Sequence, residues 1–340
     1  EMKRYSQNIL KWWRKLPKVT KIIAKVLVMC IGLLIPIIIG QSYYYRISTQ
    51  MLIYMMFGLS LKIMVGYAGQ ISLGHAAFAA IGAYAVTYFE IHYGMNFFLA
   101  SFLGGMIAVI FSLLLGLPTL KLTDCYLMIA TMGFAEIVKL LALNWKSVTN
   151  GSLGIKNIPA PEAFGIQLTN ANGGLYIMTI LFFVITVFIC WAIKHSKFGR
   201  ALGAIRNDEL AASLMGINNY SSKVIAFAIS CFIAGYAGSI YATLSRYLDP
   251  KTFTNDMSTL ILCIVVLGGS GTIFGVILGA IILVAVPELL RSFSDYRFLM
   301  YGIVLILMMR FRPQGIIDNK SRAPFGLPKD VIINRNRVEG

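Results

Sequence analysis

Residues 173–193 read Gly-Gly-Leu-Tyr-Ile-Met-Thr-Ile-Leu-Phe-Phe-Val-Ile-Thr-Val-Phe-Ile-Cys-Trp-Ala-Ile, a run without a charged side chain. Its length of about 20 residues is what a helix needs to cross ~30 Å of hydrocarbon. Residues 22–40 and 96–117 form two further runs of similar length, with one charge or none. Backbone groups in lipid must hydrogen-bond within the segment, so we predict a helix for each run.

The whole chain has the composition of a membrane protein. Of its 340 residues, 58% are apolar and 13% are charged, whereas soluble domains carry about 25% charged residues. A soluble core of this size could not bury so large an apolar excess, and the ~10-residue alternation of outer-membrane strands is not visible. We therefore predict an all-α fold, a polytopic membrane helical bundle of about ten spans that include broken or re-entrant half-helices.

Ten apolar segments are predicted to form these spans. They are residues 22–40, 49–65, 71–89, 96–117, 126–144, 173–193, 223–244, 257–268, 272–287 and 297–309. The transmembrane domain then covers residues 22–311. It is preceded by a basic interfacial segment at residues 1–21, whose apolar and aromatic side chains alternate with Lys and Arg, and followed by a cytoplasmic tail at residues 312–340.

Positive charge orients the predicted spans. Most of the 30 lysines and arginines flank the spans on the side that holds the N-terminus. Such residues concentrate on the cytoplasmic side, so we predict a multi-pass protein of the cell (inner) membrane with both termini in the cytoplasm. The net charge of +16 follows from this asymmetry and from contact with the lipid membrane. We expect no nucleic-acid binding, because no basic face with interleaved aromatics is present.

Two glycine-rich stretches interrupt the predicted helices. Residues 257–287 are too few for two full spans, and their middle reads Gly268-Gly269-Ser270-Gly271-Thr272. We predict two short or re-entrant half-helices that meet at an unwound turn, with a tight cytoplasmic loop as the alternative. Residues 66–75, Gly-Tyr-Ala-Gly-Gln-Ile-Ser-Leu-Gly-His, form a similar break. Irregular backbone at membrane depth must be covered by protein or line a water-filled cavity, so both breaks are candidate elements of a pathway.

Motifs for chemistry on this chain are missing from the sequence. There is no G-x-x-x-x-G-K-[ST] phosphate-binding loop and no G-x-S-x-G nucleophile elbow. His75, His92 and His195 are far apart, and the five cysteines lack metal-ligand spacing, so we expect buried apolar cysteines and no metal. Energy for transport would have to come from an ion gradient or from a partner.

A cytoplasmic segment at residues 194–222 joins the sixth and seventh predicted spans. Its residues 199–218 read as one short helix, rich in Ala and Leu and closed by Gly216. Such a helix can enter a cleft of a motor subunit. An ordinary solvated loop helix is the alternative.

Glu136 and Lys139 lie within the fifth predicted span and share one helix face. Charges at the centre of a span cost about 2.5–3.5 kcal/mol each on insertion scales and tend to be functional. Lys139 could reach the outer interface by snorkelling. Glu136 is therefore either half of a structural ion pair or part of a pathway.

Six motifs occur in a fixed order along residues 45–317. They are residues 66–78 (Gly-Tyr-Ala-Gly-Gln-Ile-Ser-Leu-Gly-His-Ala-Ala-Phe), 126–137, 150–159, 199–218, 266–275 (Val-Leu-Gly-Gly-Ser-Gly-Thr-Ile-Phe-Gly) and 311–315 (Phe-Arg-Pro-Gln-Gly). Together they resemble the signatures of the branched-chain amino acid ABC transporter permeases, specifically the M-type subunit of the Liv systems.

The resemblance implies a permease subunit, not an enzyme, of an ATP-driven importer. Branched-chain amino acids would be delivered by an extracytoplasmic substrate-binding protein, against the loop at residues 145–168. The implied partners also include a homologous H-type permease subunit and two ABC ATPase subunits. ATP and Mg²⁺ would bind those ATPase partners, and this chain would bind no cofactor.

The resemblance also implies roles for particular residues. The ATPase-coupling helix would contain Arg200, Ile205, Arg206, Asp208, Glu209, Ala211, Ala212 and Gly216. The wider importer motif Glu-Ala-Ala-x-x-x-Gly is approximated, since Glu209 stands one place early and Leu210 intervenes. The translocation-pathway candidates are Gln70, Ser72, His75, Thr131, Glu136, Gly268, Gly269 and Gly271, with His75 alternatively a satisfied structural histidine.

Two other functions stay open at this point. Urea or short-chain amide permeases of the same family resemble this sequence, so the substrate could be an amide. An ion-coupled secondary transporter would need a proton or sodium site at the membrane midplane, for which Glu136 and Glu90 are the candidates.

Overall fold

A computed structural model describes residues 34, 36–120, 124–163, 165–289 and 302 of the chain. The tenth predicted span (297–309), the N-terminal segment (1–21) and the C-terminal tail (312–340) lie essentially outside the described residues. Most of the first predicted span, residues 22–40, does so too.

Helices account for most of the described residues, and each predicted span from the second to the ninth coincides with one. The helices are α1 (Ser42–Lys62), α2 (His75–Tyr93), α3 (Phe97–Thr119), α4 (Asp124–Asn144), α5 (Lys146–Thr149), α6 (Gly174–His195), α7 (Lys197–Asn207), α8 (Glu209–Leu214), α9 (Asn219–Ser245), α10 (Asn255–Gly268) and α11 (Ile273–Leu289). A π-helical segment (Ile63–Ala68) continues α1, and short 3₁₀ turns occupy Gly151–Leu153 and Pro250–Thr252.

Within the described ranges, six helical segments are long and apolar enough to cross a membrane. They are Ser42–Ala68, Phe97–Thr119, Tyr126–Asn144, Gly174–His195, Asn219–Ser245 and Pro250–Gly268. The segment Ile273–Ala285 is apolar but shorter. The chain is thus a helical membrane protein, and the count of about ten spans stays a prediction.

The bundle places its helices in two environments. α1, α2 and α9 form the centre, where side chains such as Phe57, Phe78 and Phe227 are fully buried. α3, α4 and α6 lie outside them and expose large apolar side chains, among them Ile110, Ile129 and Phe188. A helix bonds its own backbone groups internally, so an apolar outward face can contact lipid hydrocarbon directly.

The closest helix pair is α2 and α9, and it depends on small residues. A Cβ atom placed on Gly82 would overlap the carbonyl of Gly235, and one on Gly238 would overlap the carbonyl of Ala79. Ser239 Oγ donates a hydrogen bond to the Gly82 carbonyl at 3.2 Å. Small residues of this kind let two membrane helices approach backbone to backbone.

Four very short strands are an exception to the all-α prediction. β1 (Ile155–Lys156) pairs antiparallel with β4 (Tyr247–Leu248), and β2 (Glu162–Ala163) pairs antiparallel with β3 (Ile166–Gln167). The loop after α4 is thereby joined to the C-terminal end of α9.

α9 has 27 residues and is about 40 Å long at 1.5 Å per residue. α7 and α8 lie before its N-terminal end.

We expect Gly238→Val to destabilise the fold, because its new side chain would collide with the backbone of α2. Overpacking of this kind costs about 1–3 kcal/mol and should lower the midpoint of thermal unfolding in detergent. Gly133→Val is the matched control, since a Cβ atom there meets nothing within 4 Å. Equal unfolding midpoints for the two variants would contradict the tight α2–α9 contact.

Candidate functional site: two helix breaks and the segment before α9

The first break separates α1 from α2 and matches the prediction for residues 66–75. α1 loosens into the π-helical segment Ile63–Ala68, and the chain then runs without helix until α2 begins at His75. Gly69 ends the π-helical segment with a φ of +80°. This left-handed conformation favours glycine, because any Cβ atom is strained there. We call residues 69–74 the first break.

Side chains from two other helices satisfy the backbone of the first break. The Leu73 N–H donates to Thr131 Oγ1 of α4 at 3.0 Å, and the Ala76 N–H donates to Ser258 Oγ of α10 at 3.1 Å. Within the break, the Gly74 N–H donates to Ser72 Oγ at 3.3 Å. Since buried backbone groups need partners, Thr131 and Ser72 hold the break in its shape.

His75 is part of a buried hydrogen-bonded chain. Its Nε2 lies 2.8 Å from Ser230 Oγ, and Ser230 Oγ donates to the Ser60 carbonyl at 2.6 Å. Because the serine hydroxyl has one hydrogen, which points to Ser60, His75 Nε2 must be the donor of the first bond. This arrangement ties α1, α2 and α9 together. The other ring nitrogen, His75 Nδ1, is buried without a hydrogen-bond partner among the described residues, so the histidine is satisfied on one side only.

Gln70 differs from the other predicted pathway residues. Its side chain is buried, yet neither Oε1 nor Nε2 has a hydrogen-bond partner among the described residues. Leaving a buried polar group unsatisfied costs about 1–3 kcal/mol. Such a group in a native fold calls for a functional or solvent partner. Gln70 is therefore the pathway candidate with both side-chain polar atoms available to a bound water or solute.

The second break lies between α10 and α11, where two short helices with an unwound turn were predicted. α10 ends at Gly268, Gly269 adopts a φ of +95°, and α11 begins at Ile273. A Cβ atom on Gly268 would overlap the carbonyl of Gly275, so the two helices touch directly beside the turn. We call residues 269–272, which include Gly271, the second break.

The π-helical segment before the first break contacts the second break, which the sequence did not reveal. A Cβ atom on Gly66, just before the first break, would lie 2.5 Å from the Ser270 carbonyl oxygen of the second. Glycine at position 66 therefore permits a contact between two irregular backbone segments that are some 200 residues apart in the chain.

Glu136 makes an ion pair with Lys139, which was one of the two roles predicted for it. Its Oε1 lies 2.7 Å from Lys139 Nζ, and its Oε2 accepts a hydrogen bond from Asn255 Nδ2 at 3.4 Å. The pair therefore joins α4 to the first turn of α10. This geometry gives Glu136 a structural partner on each carboxylate oxygen.

The segment at residues 199–218, predicted as one cytoplasmic helix, contains two helices. α7 ends at Asn207, and Asp208 adopts an extended conformation with a φ of −157°. The Asp208 carboxylate then accepts a hydrogen bond from the Ala211 N–H at 2.9 Å, which caps the start of α8. Aspartate competes well for N-cap positions, so the chain restarts the helix here instead of continuing it.

Several predicted coupling residues hold this segment against the permease body. Glu209 Oε2 lies 2.7 Å from Lys223 Nζ at the start of α9, and the Glu209 carbonyl accepts from Asn219 Nδ2 at 2.6 Å. Ile205 and Ala212 are buried. Gly216, with a φ of +81°, ends the segment as predicted.

Three apolar side chains on this segment face away from the body. Leu210 is 71% exposed, Leu214 80% and Met215 83%. Sequence reasoning missed them, although Leu210 and Leu214 are four residues apart and so share a helix face, and Met215 follows directly after the end of α8. We call Leu210, Leu214 and Met215 the α8 surface.

The two arginines of α7 make different contacts. Arg206 Nη1 donates to the Gly66 carbonyl at 2.5 Å, across 140 positions of sequence. Arg200 Nη1 donates to the nearby His195 carbonyl at 3.3 Å. Arg206 thus joins α7 to the π-helical segment before the first break.

In the part of the chain that the structure describes, no His, Cys, Asp and Glu side chains group in threes to bind a metal.

We expect Thr131→Val to destabilise the fold by about 1 kcal/mol, because the partly buried Leu73 N–H loses its acceptor. Thr186→Val is the matched control, since each threonine also bonds a carbonyl of its own helix but Thr186 has no second contact of this kind. Denaturant unfolding in detergent measures both variants. Equal stability losses would show that the Leu73 contact is unimportant.

Comparison with known proteins places the chain among transport proteins. Residues 43–309 match the family described as branched-chain amino acid transport system, permease component. The chain is 38% identical over 293 residues to the high-affinity branched-chain amino acid transport system permease protein LivM of Salmonella typhimurium and to that of Escherichia coli K12, covering 80% of this chain and 69% of each relative.

More distant relatives also match. The probable LivM protein of Methanocaldococcus jannaschii is 25% identical over 347 residues, covering 86% of this chain and 95% of that one. The autoinducer 2 import system permease protein LsrC of Escherichia coli O9:H4 is 26% identical over 200 residues, covering 56% of each chain. No solved structure matches significantly.

Proposed function

The chain belongs to the family of branched-chain amino acid transport system permease components, and we propose that it is the permease subunit of an ATP-driven importer for these amino acids. The relatives at 38% identity carry that substrate in their names. These names support branched-chain amino acids over the urea or short-chain amide alternative. Of the two carboxylates that an ion-coupled transporter could use, Glu136 is already paired with Lys139. The other, Glu90 near the end of α2, is buried and its Oε2 has no hydrogen-bond partner among the described residues.

The α8 surface is the observation that best supports an external motor. Leu210, Leu214 and Met215 are exposed on a segment that lies outside the apolar spans. Exposed apolar side chains clustered in this way are typical of protein–protein contacts. The Glu209–Lys223 ion pair and the Asp208 cap keep their helix in place. We propose that this surface enters a cleft of an ABC ATPase subunit.

The remaining partners follow from the resemblance and the family. A homologous H-type subunit would complete the pore, two ABC ATPases would bind ATP and Mg²⁺, and a substrate-binding protein would deliver the amino acid outside. The exposed side chains Trp145 and Leu153, on the loop that pairs with β4, suit the delivery site. This chain would itself bind no cofactor, and about ten spans would leave both termini in the cytoplasm.

The two breaks are the proposed core of the translocation pathway. Both are irregular and partly buried, and the π-helical segment before the first break contacts the second. Irregular backbone at membrane depth is found where protein covers it or where it lines a water-filled cavity. Gln70 supplies a buried amide with free hydrogen-bonding capacity. An opening at this point would expose Gln70 to a passing amino acid, while Thr131, Ser72 and His75 would hold the surrounding backbone.

We expect Leu214→Glu to weaken ATPase binding at least tenfold, because a carboxylate would enter an apolar cleft without a partner. Co-purification of the ATPase subunits from membranes measures this, and ATP-dependent uptake of labelled leucine into proteoliposomes should fall in parallel. Lys197→Glu is the control, since that exposed residue lies on α7 away from the α8 surface. Unchanged ATPase binding by Leu214→Glu would contradict the proposed docking surface.

Single cysteines at Ser152 and Ser213 test the proposed orientation. Both residues are exposed, and they lie near opposite ends of the ~40 Å helix α9. In sealed right-side-out vesicles, a membrane-impermeant maleimide should label the cysteine at 152 directly and the one at 213 after permeabilisation. Labelling of both from the same side would overturn the topology.

A further inference from the structure

We propose that Arg206 is the positioning residue that transmits movement of the ATPase-facing segment to the two helix breaks. The inference rests on the proposed function, because it assumes that a motor subunit binds the α8 surface. Within that function, the Arg206 side chain would pass a displacement of α7 on to the two breaks. The observations that carry it are the contacts of Arg206, Gly66 and Gly69.

The first observation is a direct bond between the two regions. Arg206 Nη1 donates to the Gly66 carbonyl at 2.5 Å. A guanidinium makes a charge-assisted hydrogen bond, which is shorter and stronger than one between neutral groups. Because Gly66 lies in the π-helical segment before the first break, the bond is made at a point where the regular α-helix has already ended.

The second observation is how closely α7 approaches the break. A Cβ atom on Gly69 would lie 2.9 Å from Arg206 Cγ and 3.4 Å from Arg206 Cα. No side chain separates the two backbones at this point. Leu202 and Ile205 of the same helix are buried against the body, so α7 cannot shift without pushing on Gly69 or pulling on Gly66.

The third observation extends the connection to the second break. Gly66 contacts the Ser270 carbonyl, and its own carbonyl accepts the hydrogen bond from Arg206. Irregular segments between helices can absorb large φ and ψ changes, which is how hinges work in switching proteins. A displacement delivered at Arg206 therefore reaches two deformable segments at once, and both belong to the proposed pathway.

Arg206→Ala is the direct test, made in the assembled transporter in proteoliposomes. We expect the leucine imported per ATP hydrolysed to fall about tenfold, with ATPase binding measured separately by co-purification. Arg206→Lys, which keeps the charge and can reach the carbonyl, should recover part of the loss. Lys197→Ala is the matched control, a cation of the same helix whose side chain makes no described hydrogen bond.

A residue that merely stabilised the fold would change import and hydrolysis together, so the ratio of the two separates the roles. Normal import per ATP in Arg206→Ala would overturn the inference. If the ATPase subunits did not bind the wild-type chain, the proposed function itself would be overturned. The co-purification assay reports that outcome separately.

A reversible cross-link provides a second test that does not depend on an alanine variant. In Gly69→Cys/Arg206→Cys the two Cβ atoms would lie about 3.4 Å apart, close to the separation found in disulfides. We expect oxidation to form the bond and to raise import per ATP, and a reducing agent to lower it again. Each single cysteine variant is a control for the strain at position 69 and for the native cysteines.

Failure of the cross-link to form would contradict the close approach of α7 to the first break. A cross-linked permease that still hydrolyses ATP but imports no better than its reduced form would show that the two segments need not move together. Either result would overturn the assignment of Arg206.

Discussion

The fold depends on one constraint: backbone that is not helical must still find hydrogen-bond partners away from water. Thr131 of α4 accepts from Leu73 within the first break, and Ser258 of α10 accepts from Ala76 in the first turn of α2, directly after it. Ser230 of α9 joins the same region through His75. Four helices are therefore fixed around a segment that is itself irregular, and the break is the point at which the bundle is organised.

The same constraint explains what the sequence could predict. Apolar runs of the right length were enough to place eight helices, because in lipid an apolar run has no other stable conformation. The clusters at residues 66–75 and 268–272 were enough to place the breaks, since glycines favour the positive φ found at Gly69 and Gly269. Periodicity and composition carry this information locally.

Contacts between distant segments could not be predicted in the same way. Nothing in residues 66–75 indicates that Thr131 would accept from Leu73, or that Gly66 would meet both Ser270 and Arg206. The division of the cytoplasmic segment at Asp208 was missed because aspartate is compatible with a helix interior and with a cap, and tertiary packing decides between them. The resemblance to a family located the segment but not its exposed face.

A further consequence follows from the length of α9 and from what holds its two ends. At one end it continues into β4, which pairs with β1 of the long loop after α4. At the other end Lys223 is bound to Glu209, beside the α8 surface. An unbroken helix of 27 residues behaves as a stiff rod of about 40 Å. A tilt of some 10° would move one tip about 7 Å relative to the other. A displacement of the loop that holds β1 would therefore be accompanied by a displacement of Glu209 and of the α8 surface, because both are attached to the same helix.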